Sequence, residues 1–197
     1  SHAKAFIEQG AKVVLTDLNE EKGKAFAAEL GENALFIKQN VVSEEEWATV
    51  VAKAEEAFGP VNVLVNNAGI SLNKFMLELS LDEYMKIVNI NQVSVFLGMK
   101  AVAGSMAKAG GGSIVNISSI NGLVGGAVGY TDTKFAVRGM TKAAALNLAH
   151  MGIRVNSVHP GVIATPMIMQ EDAKEAIEEF AKHIPLKRVS QPEEVSQ

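Results

Sequence analysis

Short apolar runs alternate along the chain with stretches in which apolar residues recur at helical spacing. The apolar runs are rich in valine and isoleucine, which is typical of strands that are buried on both faces. Strands that alternate with helices form a parallel sheet on which the helices pack. The pattern predicts strands at 11–17, 34–40, 61–67, 112–119 and 153–160.

Two of the intervening stretches have the spacing of amphipathic helices. The first follows Ser43, and Glu46 stands three residues later, so we expect a capping box there. The second begins after Ser80. The two apolar stripes consist of Trp47, Val51, Ala54 and Phe58, and of Val88, Val95, Met99, Val102 and Met106. Because no linker interrupts the alternation, we predict an α/β fold: a doubly wound, Rossmann-like parallel sheet with helices on both faces, in a single domain over residues 1–197.

Composition and charge narrow the possible functions. The chain has 197 residues, 48% of them hydrophobic and 20% charged, which is typical of a globular domain. The net charge of −4 and the pI of about 5.6 argue against a nucleic-acid or anionic-membrane surface. No apolar run is expected to reach the length of a membrane span. Cysteine is absent from the sequence, which excludes disulfide and thiolate chemistry. We expect a cytoplasmic protein.

Polar and small residues follow four of the predicted strands. They are Asp17, the stretch 66–69 (Asn-Asn-Ala-Gly), the pair 118–119 (Ser-Ser) and the stretch 159–161 (His-Pro-Gly). Because the carboxyl ends of parallel strands meet at one edge of the sheet, these residues are expected to converge where such sheets bind ligands. Each one alone could be ordinary turn chemistry.

Tyr130 and Lys134 are four residues apart on a predicted helix and therefore share one face. A phenol has a pKa near 10, and a neighbouring ammonium stabilises the phenolate, so such a pair can transfer protons near neutral pH. An adjacent serine hydroxyl can hold the substrate oxygen during the transfer. The pair alone is weak evidence, since composition gives it a chance probability of about one in seven. Tyr84 has Val88 at the same offset and offers an internal comparison.

Four motifs occur in a fixed order along the chain: Asn-Asn-Ala-Gly, Asn-Ile-Ser-Ser (116–119), Tyr-x-x-x-Lys and Pro-Gly (160–161). This is the order found in the classical short-chain dehydrogenase/reductase family, which the whole chain resembles. The resemblance implies an enzyme that transfers a hydride between a nicotinamide cofactor and an alcohol or ketone. It implies four catalytic residues: an acid/base, its cationic partner, a substrate-orienting hydroxyl and a residue that anchors a relay water. These are Tyr130, Lys134, Ser119 and Asn91, in that order.

The same resemblance implies the cofactor site. Residues expected to contact the cofactor are Asp17, Leu18, Asn40, Val41, Asn67, Ala68, Gly69, Tyr130, Lys134, Pro160, Gly161, Ile163 and Thr165. The acid at the end of the strand 11–17 can accept hydrogen bonds from the ribose hydroxyls and would repel the 2′-phosphate of NADP, so we predict NAD. An alternative is that Asp17 only caps the next helix, a role that Asn19 can also fill. No metal is expected, since the four histidines form no ligand cluster.

Three departures from the family pattern stand out. The glycine-rich phosphate turn with its strand, and the last strand, are expected to lie outside these 197 residues, so we expect the chain to be incomplete at both ends. The interval from Ser119 to Tyr130 is two residues shorter than is usual in the family. Its glycine-rich sequence either absorbs the change or lacks two residues, and this leaves a choice between Ser118 and Ser119 as the catalytic serine, with Ser119 the better match.

Substrate and assembly are also implied by the resemblance. The sequences around the motifs are most similar to bacterial hydroxysteroid dehydrogenases, which favours a bulky apolar secondary alcohol or ketone. The walls of the substrate site would be Leu123, Val124 and Val128, together with an apolar segment at 167–169; the alternative is that these residues only close the core. An acyl-carrier (3-oxoacyl-thioester) reductase and a non-catalytic nucleotide-binding relative are the other candidates. The family also implies a homo-oligomer, a tetramer, paired through small and apolar faces at 99–106 and 143–145.

Overall fold

The computed structural model describes residues 1–72, 74–165 and 174–197, with side chains omitted at 174–176 and 178. Five parallel strands, β1 to β5, span Val13–Asp17, Ala34–Lys38, Val63–Asn66, Gly112–Ile117 and Ile153–Val158. All five predicted strands are therefore confirmed: β1 ends at the predicted residue, and the other four end one or two residues early. Helices α1 to α8 span His2–Glu8, Glu20–Leu30, Glu44–Phe58, Leu81–Val88, Ser94–Lys108, Tyr130–Leu148, Lys174–Ala181 and Pro192–Val195. Short 3₁₀ segments lie at Met76–Glu78, Ile120–Gly122 and Ala149–Met151.

The parallel strands belong to two sheets in the described part of the chain. β1 pairs with β2, with Val13 opposite Ala34, and β3, β4 and β5 form a second sheet in that order. In the second sheet Val63 lies opposite Ser113, and Gly112 opposite Ile153. The α/β class, the parallel pairing and the flanking helices agree with the prediction. In the described part of the chain, however, no hydrogen-bonded strand pair joins the two sheets.

The core lies where α5 and α6 pack on the three-stranded sheet. Its buried side chains are Val95, Met99, Val102, Met106, Ile114, Val137, Ile153 and Val155. Three residues of the face 99–106 expected to meet a partner subunit, Met99, Val102 and Met106, therefore face their own chain's sheet instead. Their exposed fractions of 4%, 2% and 0% leave no surface for a partner.

Helix boundaries follow the sequence closely, with one exception in capping. Ser80 and Glu83 form a full capping box at α4. At α3 the predicted box is only half present: the Ser43 hydroxyl accepts from the Glu46 N–H at 3.2 Å, but the Glu46 carboxylate accepts from the Asn40 N–H at 2.6 Å. The acid reaches the preceding loop because that loop turns back over the helix start.

Between α4 and α5 the helix continues through a single π-helical segment, Asn89–Val93. The resulting continuous helix, Leu81–Lys108, is long and apolar enough to cross a membrane by length and composition, so the expectation that no stretch reaches that length is wrong. The core helix of a globular protein passes the same test, and here the apolar residues of α5 pack on the sheet.

Candidate active site

Three strands deliver polar residues to one edge of the second sheet. β3 ends at Asn66, β4 at Ile117 and β5 at Val158. The strands are parallel, so the loops that follow them lie side by side. The predicted convergence is confirmed by this topology for the stretches 66–69, 118–119 and 159–161, whereas Asp17 ends β1 in the other sheet.

Tyr130 and Lys134 occupy the first two turns of α6, directly beside this edge. The helix begins after Gly129, whose φ of 87° is a conformation that favours glycine. A Cβ at Gly129 would also lie 2.8 Å from Ile87 Cδ1 on α4, so the approach of the two helices requires glycine. The Lys134 Nζ lies 5.4 Å from the centroid of the Tyr130 ring, which places the ammonium and the phenol on one face as predicted.

Lys134 is a buried cation, with only 4% of its surface exposed. Its Nζ donates a 2.8 Å hydrogen bond to Ile117 O at the end of β4. Burial disfavours the charged form and lowers the pKa of the Lys134 ammonium from 10.5 to about 8. A buried ammonium in weakly screened surroundings acts strongly on any negative charge placed beside it.

Asn91 is completely buried in the π-helical segment and ties three elements together. Its carboxamide exchanges two 2.8 Å hydrogen bonds with the main chain of Ile70, and its Nδ2 also lies 3.3 Å from Thr133 Oγ1 on α6. Gly69 is packed against this point: a Cβ there would lie 3.5 Å from Asn91 Oδ1 and 3.6 Å from Lys134 Nζ. The loop after β3, Asn91 and the Tyr130–Lys134 pair are thus one connected unit.

The two serines after β4 are used differently. The buried Ser118 hydroxyl donates to Lys134 O at 2.9 Å. Ser119 Oγ accepts from the Asn121 N–H at 3.1 Å, which leaves the hydroxyl hydrogen of Ser119 without a described partner.

In the short connection from Ser119 to Tyr130, Asn121 lies close both to Gly126 and to the start of α6. Asn121 Nδ2 lies 3.4 Å from Thr131 Oγ1. A Cβ at Gly126 would lie only 1.9 Å from Asn121 Nδ2, so this close approach depends on the absence of a side chain there.

The expected cofactor residues fall into two groups. Asp17, Leu18, Asn40 and Val41 follow β1 and β2, and Leu18 and Asn40 line a cavity of about 290 Å³. Asp17 Oδ1 accepts from the Asn19 N–H at 2.8 Å, while Asn19 caps α2 by accepting from the Lys22 N–H. The Val41 carbonyl accepts from Trp47 Nε1 at 2.9 Å.

The second group lies at the edge described above. Asn67 and Ala68 are exposed beyond β3, and Pro160 O accepts from the Ile120 N–H at 2.8 Å. The chain after Gly161 makes an isolated parallel bridge between Ile163 and Ser190. The Thr165 N–H bonds to Ile163 O at 2.7 Å. The expected apolar segment 167–169 lies outside the described residues.

Sequence reasoning missed the residue that links Asn91 to α6. Thr133 is buried, its Oγ1 donates to Tyr130 O at 2.7 Å, and the same oxygen faces Asn91 Nδ2. Its position directly before Lys134 was the available clue. Within the described ranges, His, Asp and Glu side chains form no group of three that could hold a metal ion.

Comparison with known proteins gives consistent matches. A family model described as enoyl-(acyl carrier protein) reductase matches residues 1–197. The 3-alpha-(or 20-beta)-hydroxysteroid dehydrogenase of Mycobacterium tuberculosis is 50% identical over 169 residues, which cover 85% of this chain and 65% of that protein. Cyclopentanol dehydrogenase of Comamonas testosteroni is 45% identical, covering all of this chain and 81% of the relative. A 2,5-dichloro-2,5-cyclohexadiene-1,4-diol dehydrogenase of Sphingobium indicum is 40% identical, covering all of this chain and 80% of the relative.

The match to the mycobacterial relative therefore spans less than two thirds of that protein's length. The family assignment does not depend on that match, because the family model covers every residue and two relatives align with the entire chain. The α/β architecture and the order of the motifs along the strand ends agree with these similarities. The chain belongs to the classical short-chain dehydrogenase/reductase family.

Proposed function

We propose that this protein is an oxidoreductase that transfers a hydride between NAD(H) and a secondary alcohol or ketone. The observation that supports the proposal most strongly is the placement of the buried Lys134 Nζ 5.4 Å from the centre of the Tyr130 ring. A lysine buried only for packing would destabilise the fold, since burial disfavours its charge. Beside a phenol, the same positive charge can stabilise the phenolate.

In the proposed mechanism Tyr130 is the general acid/base. In alcohol oxidation its phenolate accepts the hydroxyl proton, and in ketone reduction its phenol donates a proton to the oxygen. Lys134 stabilises the phenolate by its positive charge, at short range and in a poorly screened environment. The nicotinamide, when bound, supplies or accepts the hydride at carbon.

Ser119 is proposed to hold the reacting oxygen. The Ser118 hydroxyl is committed to Lys134 O, whereas the Ser119 hydroxyl hydrogen has no described partner and is free to donate to a substrate. Asn91 keeps the loop after β3 against α6 through its bonds to Ile70, and in this proposal it anchors the water that relays the proton to solvent.

The residues at the strand ends fit a nicotinamide cofactor. Gly69 leaves open the space beside Lys134 and Asn91, into which a Cβ would project. The cavity beside Leu18 and Asn40 lies at the carboxyl ends of β1 and β2, where adenosine would bind. Asp17 retains one carboxylate oxygen beyond its bond to Asn19, which supports recognition of ribose hydroxyls and a preference for NAD(H).

A bulky apolar substrate is proposed from the surface beside Ser119. Leu123, Val124 and Val128, on the segment that follows the serine, are 48%, 52% and 40% exposed, so they offer apolar surface for a substrate. Relatives named for hydroxysteroids and cyclic alcohols support this choice. The family description names an acyl-carrier-protein substrate, which makes an acyl-thioester reductase the second candidate.

The proposal includes a cytoplasmic homotetramer. Phe96 on α5 and Phe135 and Leu146 on α6 are 49%, 42% and 82% exposed, and outward apolar side chains on both helices support association through them.

The deciding experiment follows the absorbance of reduced nicotinamide with NAD⁺ and a panel of steroid alcohols, cyclic secondary alcohols and primary alcohols. A 3-oxoacyl thioester with NADH or NADPH forms a parallel arm. Turnover of the secondary alcohols supports the proposal. Turnover of the thioester alone replaces it with the second candidate, and nucleotide binding without turnover of any substrate indicates a non-catalytic relative.

A further inference from the structure

A histidine that the mechanism does not use lies against the proposed catalytic serine. His159 directly follows β5, and its ring lies between two oxygen atoms. His159 Nδ1 is 3.0 Å from Ser119 O, and His159 Nε2 is 3.0 Å from Ser157 Oγ. The ring therefore bridges the end of β5 to the loop that carries Ser119.

The chemistry of the partners fixes the orientation of this bridge. A carbonyl oxygen can only accept a hydrogen bond, so Nδ1 must carry the hydrogen and donate it to Ser119 O. In the neutral ring Nε2 is then an acceptor, and the Ser157 hydroxyl donates to it. Ser157 thus holds the ring in the tautomer and orientation that reach Ser119.

The bridge reinforces a place where the main-chain ladder is weak. The Ser118 N–H bonds to Val158 O and the Ile120 N–H to Pro160 O, both at 2.8 Å. Pro160 has no N–H to give in return. The His159 side chain supplies an additional donor to this loop, at Ser119 O.

Hydrogen bonds consequently restrain both the carbonyl group and the hydroxyl group of Ser119. Its carbonyl accepts from His159 Nδ1 and from the Gly122 N–H at 2.8 Å, and its hydroxyl oxygen accepts from the Asn121 N–H. Rotation of the peptide group between Ser119 and Ile120 would break the first two bonds, together with the bond from the Ile120 N–H to Pro160 O, and would displace the Asn121 N–H that holds the hydroxyl oxygen.

We propose that His159 is a positioning residue: by donating from Nδ1 to Ser119 O, it fixes the direction in which the Ser119 hydroxyl meets the substrate oxygen. This inference rests on the proposed function of Ser119. His159 touches neither the reacting oxygen nor the acid/base pair, so its effect is expected in turnover rather than in cofactor affinity.

Two substitutions of His159 distinguish the effect of the hydrogen bond to Ser119 O from the effect of any polar side chain at this position. The amide nitrogen of asparagine can occupy the place of Nδ1, so His159→Asn keeps the donor to Ser119 O. The amide of glutamine reaches the place of Nε2, so His159→Gln keeps a partner for Ser157 and loses the donor. His159→Ala loses both.

The test measures kcat, KM for NAD⁺, thermal unfolding and amide hydrogen exchange in the parent and the three variants. We expect kcat to fall about tenfold in the Ala and Gln variants and to recover most of its value in the Asn variant, with KM for NAD⁺ little changed. Exchange at Asn121 and Gly122, the two amides that bond to Ser119, should accelerate in the Ala and Gln variants only. The Ser118 amide, which bonds to Val158 O and lies outside the peptide group between Ser119 and Ile120, is the control.

Equal losses in the Asn and Gln variants, or losses that follow the melting temperature alone, would overturn the proposal. So would unchanged exchange at Asn121 and Gly122 in the Ala variant. If the parent protein oxidises no alcohol, the proposed function fails, whereas the exchange measurement still decides whether His159 restrains Ser119.

Discussion

Asn91 and Ile70 exchange two hydrogen bonds: the Ile70 N–H donates to Asn91 Oδ1, and Asn91 Nδ2 donates to Ile70 O, both at 2.8 Å. A carboxamide has one acceptor and one donor side, so it can complete both main-chain groups of a single residue. No apolar side chain of the same size can do this. Asn91 therefore links the helix to the loop after β3 and sets the spacing between them.

Asn91→Ala is expected to lower the free energy of unfolding by about 2 kcal/mol, because it leaves the Ile70 N–H and C=O without partners. Urea-induced unfolding measures the change. Asn147→Ala is the matched control, since Asn147 is exposed on α6 and its amide bonds only to Ala143 O. It should change stability by less than about 0.5 kcal/mol. Equal effects of the two substitutions would contradict the structural role of Asn91.

Tyr130→Phe is expected to reduce kcat by a factor of about 10² or more, because the ring remains and the proton donor is lost. Binding of NAD⁺, followed by fluorescence titration, should change little. Tyr84→Phe is the control: it removes the exposed bond from Tyr84 Oη on α4 to Asp132 Oδ2 on α6 and should leave kcat nearly unchanged. Turnover of the Tyr130 variant within a few-fold of the parent would refute the assignment.

The buried ammonium of Lys134 makes stability depend on pH. Its pKa is about 8 in the folded protein and near 10.5 when unfolded, so the unfolded chain binds more protons between these values and stability rises with pH across that window. Below about pH 8 the full cost of burying the charge is present. This lowering of the Lys134 pKa corresponds to a loss of roughly 3 kcal/mol in the free energy of unfolding. The hydrogen bond from Lys134 Nζ to Ile117 O offsets about 1 kcal/mol of that loss.

Lys134→Met removes this cost. At pH 7 we expect the variant to be about 2 kcal/mol more stable than the parent, with the advantage shrinking as pH rises from about 8 to 10. Urea unfolding at several pH values gives the difference. The same comparison in the Tyr130→Phe background removes the neighbouring phenol, whose ionisation the charge of Lys134 would affect. A constant difference over that range, or a less stable variant, would show that the charge of Lys134 is not penalised by burial.

Cofactor choice is expected to depend on Asp17. The parent should prefer NAD(H) over NADP(H) by at least about tenfold in kcat/KM, a margin of about 1.4 kcal/mol. Asp17→Ala should narrow that ratio, because the carboxylate no longer repels the 2′-phosphate. Asp82→Ala, an exposed acid in the first turn of α4, is the charge-matched control and should leave the ratio unchanged. A parent that uses both cofactors equally would contradict the prediction.

Assembly should depend on the outer faces of α5 and α6. Light scattering at micromolar concentration is expected to give the mass of a tetramer, and Leu146→Glu should lower it by placing a charge on an 82% exposed apolar position of α6. Leu77→Glu, on a 94% exposed position of the 3₁₀ segment Met76–Glu78, should have no such effect. A monomeric mass for the parent protein would overturn this expectation.

The strands and most helix ends could be predicted because they depend on local chemistry. Valine-rich runs become strands wherever they lie in a parallel sheet, and Ser80 caps its helix through neighbours three residues away. Contacts that depend on how a loop folds back left no such pattern. The Glu46 carboxylate accepts from the main-chain N–H of Asn40 instead of completing the capping box with Ser43, because the preceding loop places that N–H within its reach.

The residues of the candidate site could be predicted from the sequence, but the hydrogen bonds that join them could not. Tyr130 and Lys134 share a face by helical spacing alone. The bridge from His159 to Ser119 joins residues forty positions apart, and it exists only because β4 and β5 pair in one register. A lone histidine before a Pro-Gly turn gives no sign of this in the sequence.

The π-helical segment Asn89–Val93 contains one more residue per turn than the α-helices on either side of it. Each residue of an α-helix advances about 100° around the axis, so two residues eight positions apart on a regular α-helix face directions about 80° apart. The wider turn takes up one residue, which allows Ile87 and Val95 to be buried on the same side of the helix. The segment therefore keeps the two parts of the helix in phase, and a one-residue insertion or deletion elsewhere between them and the sheet contacts would turn a buried face away from the core.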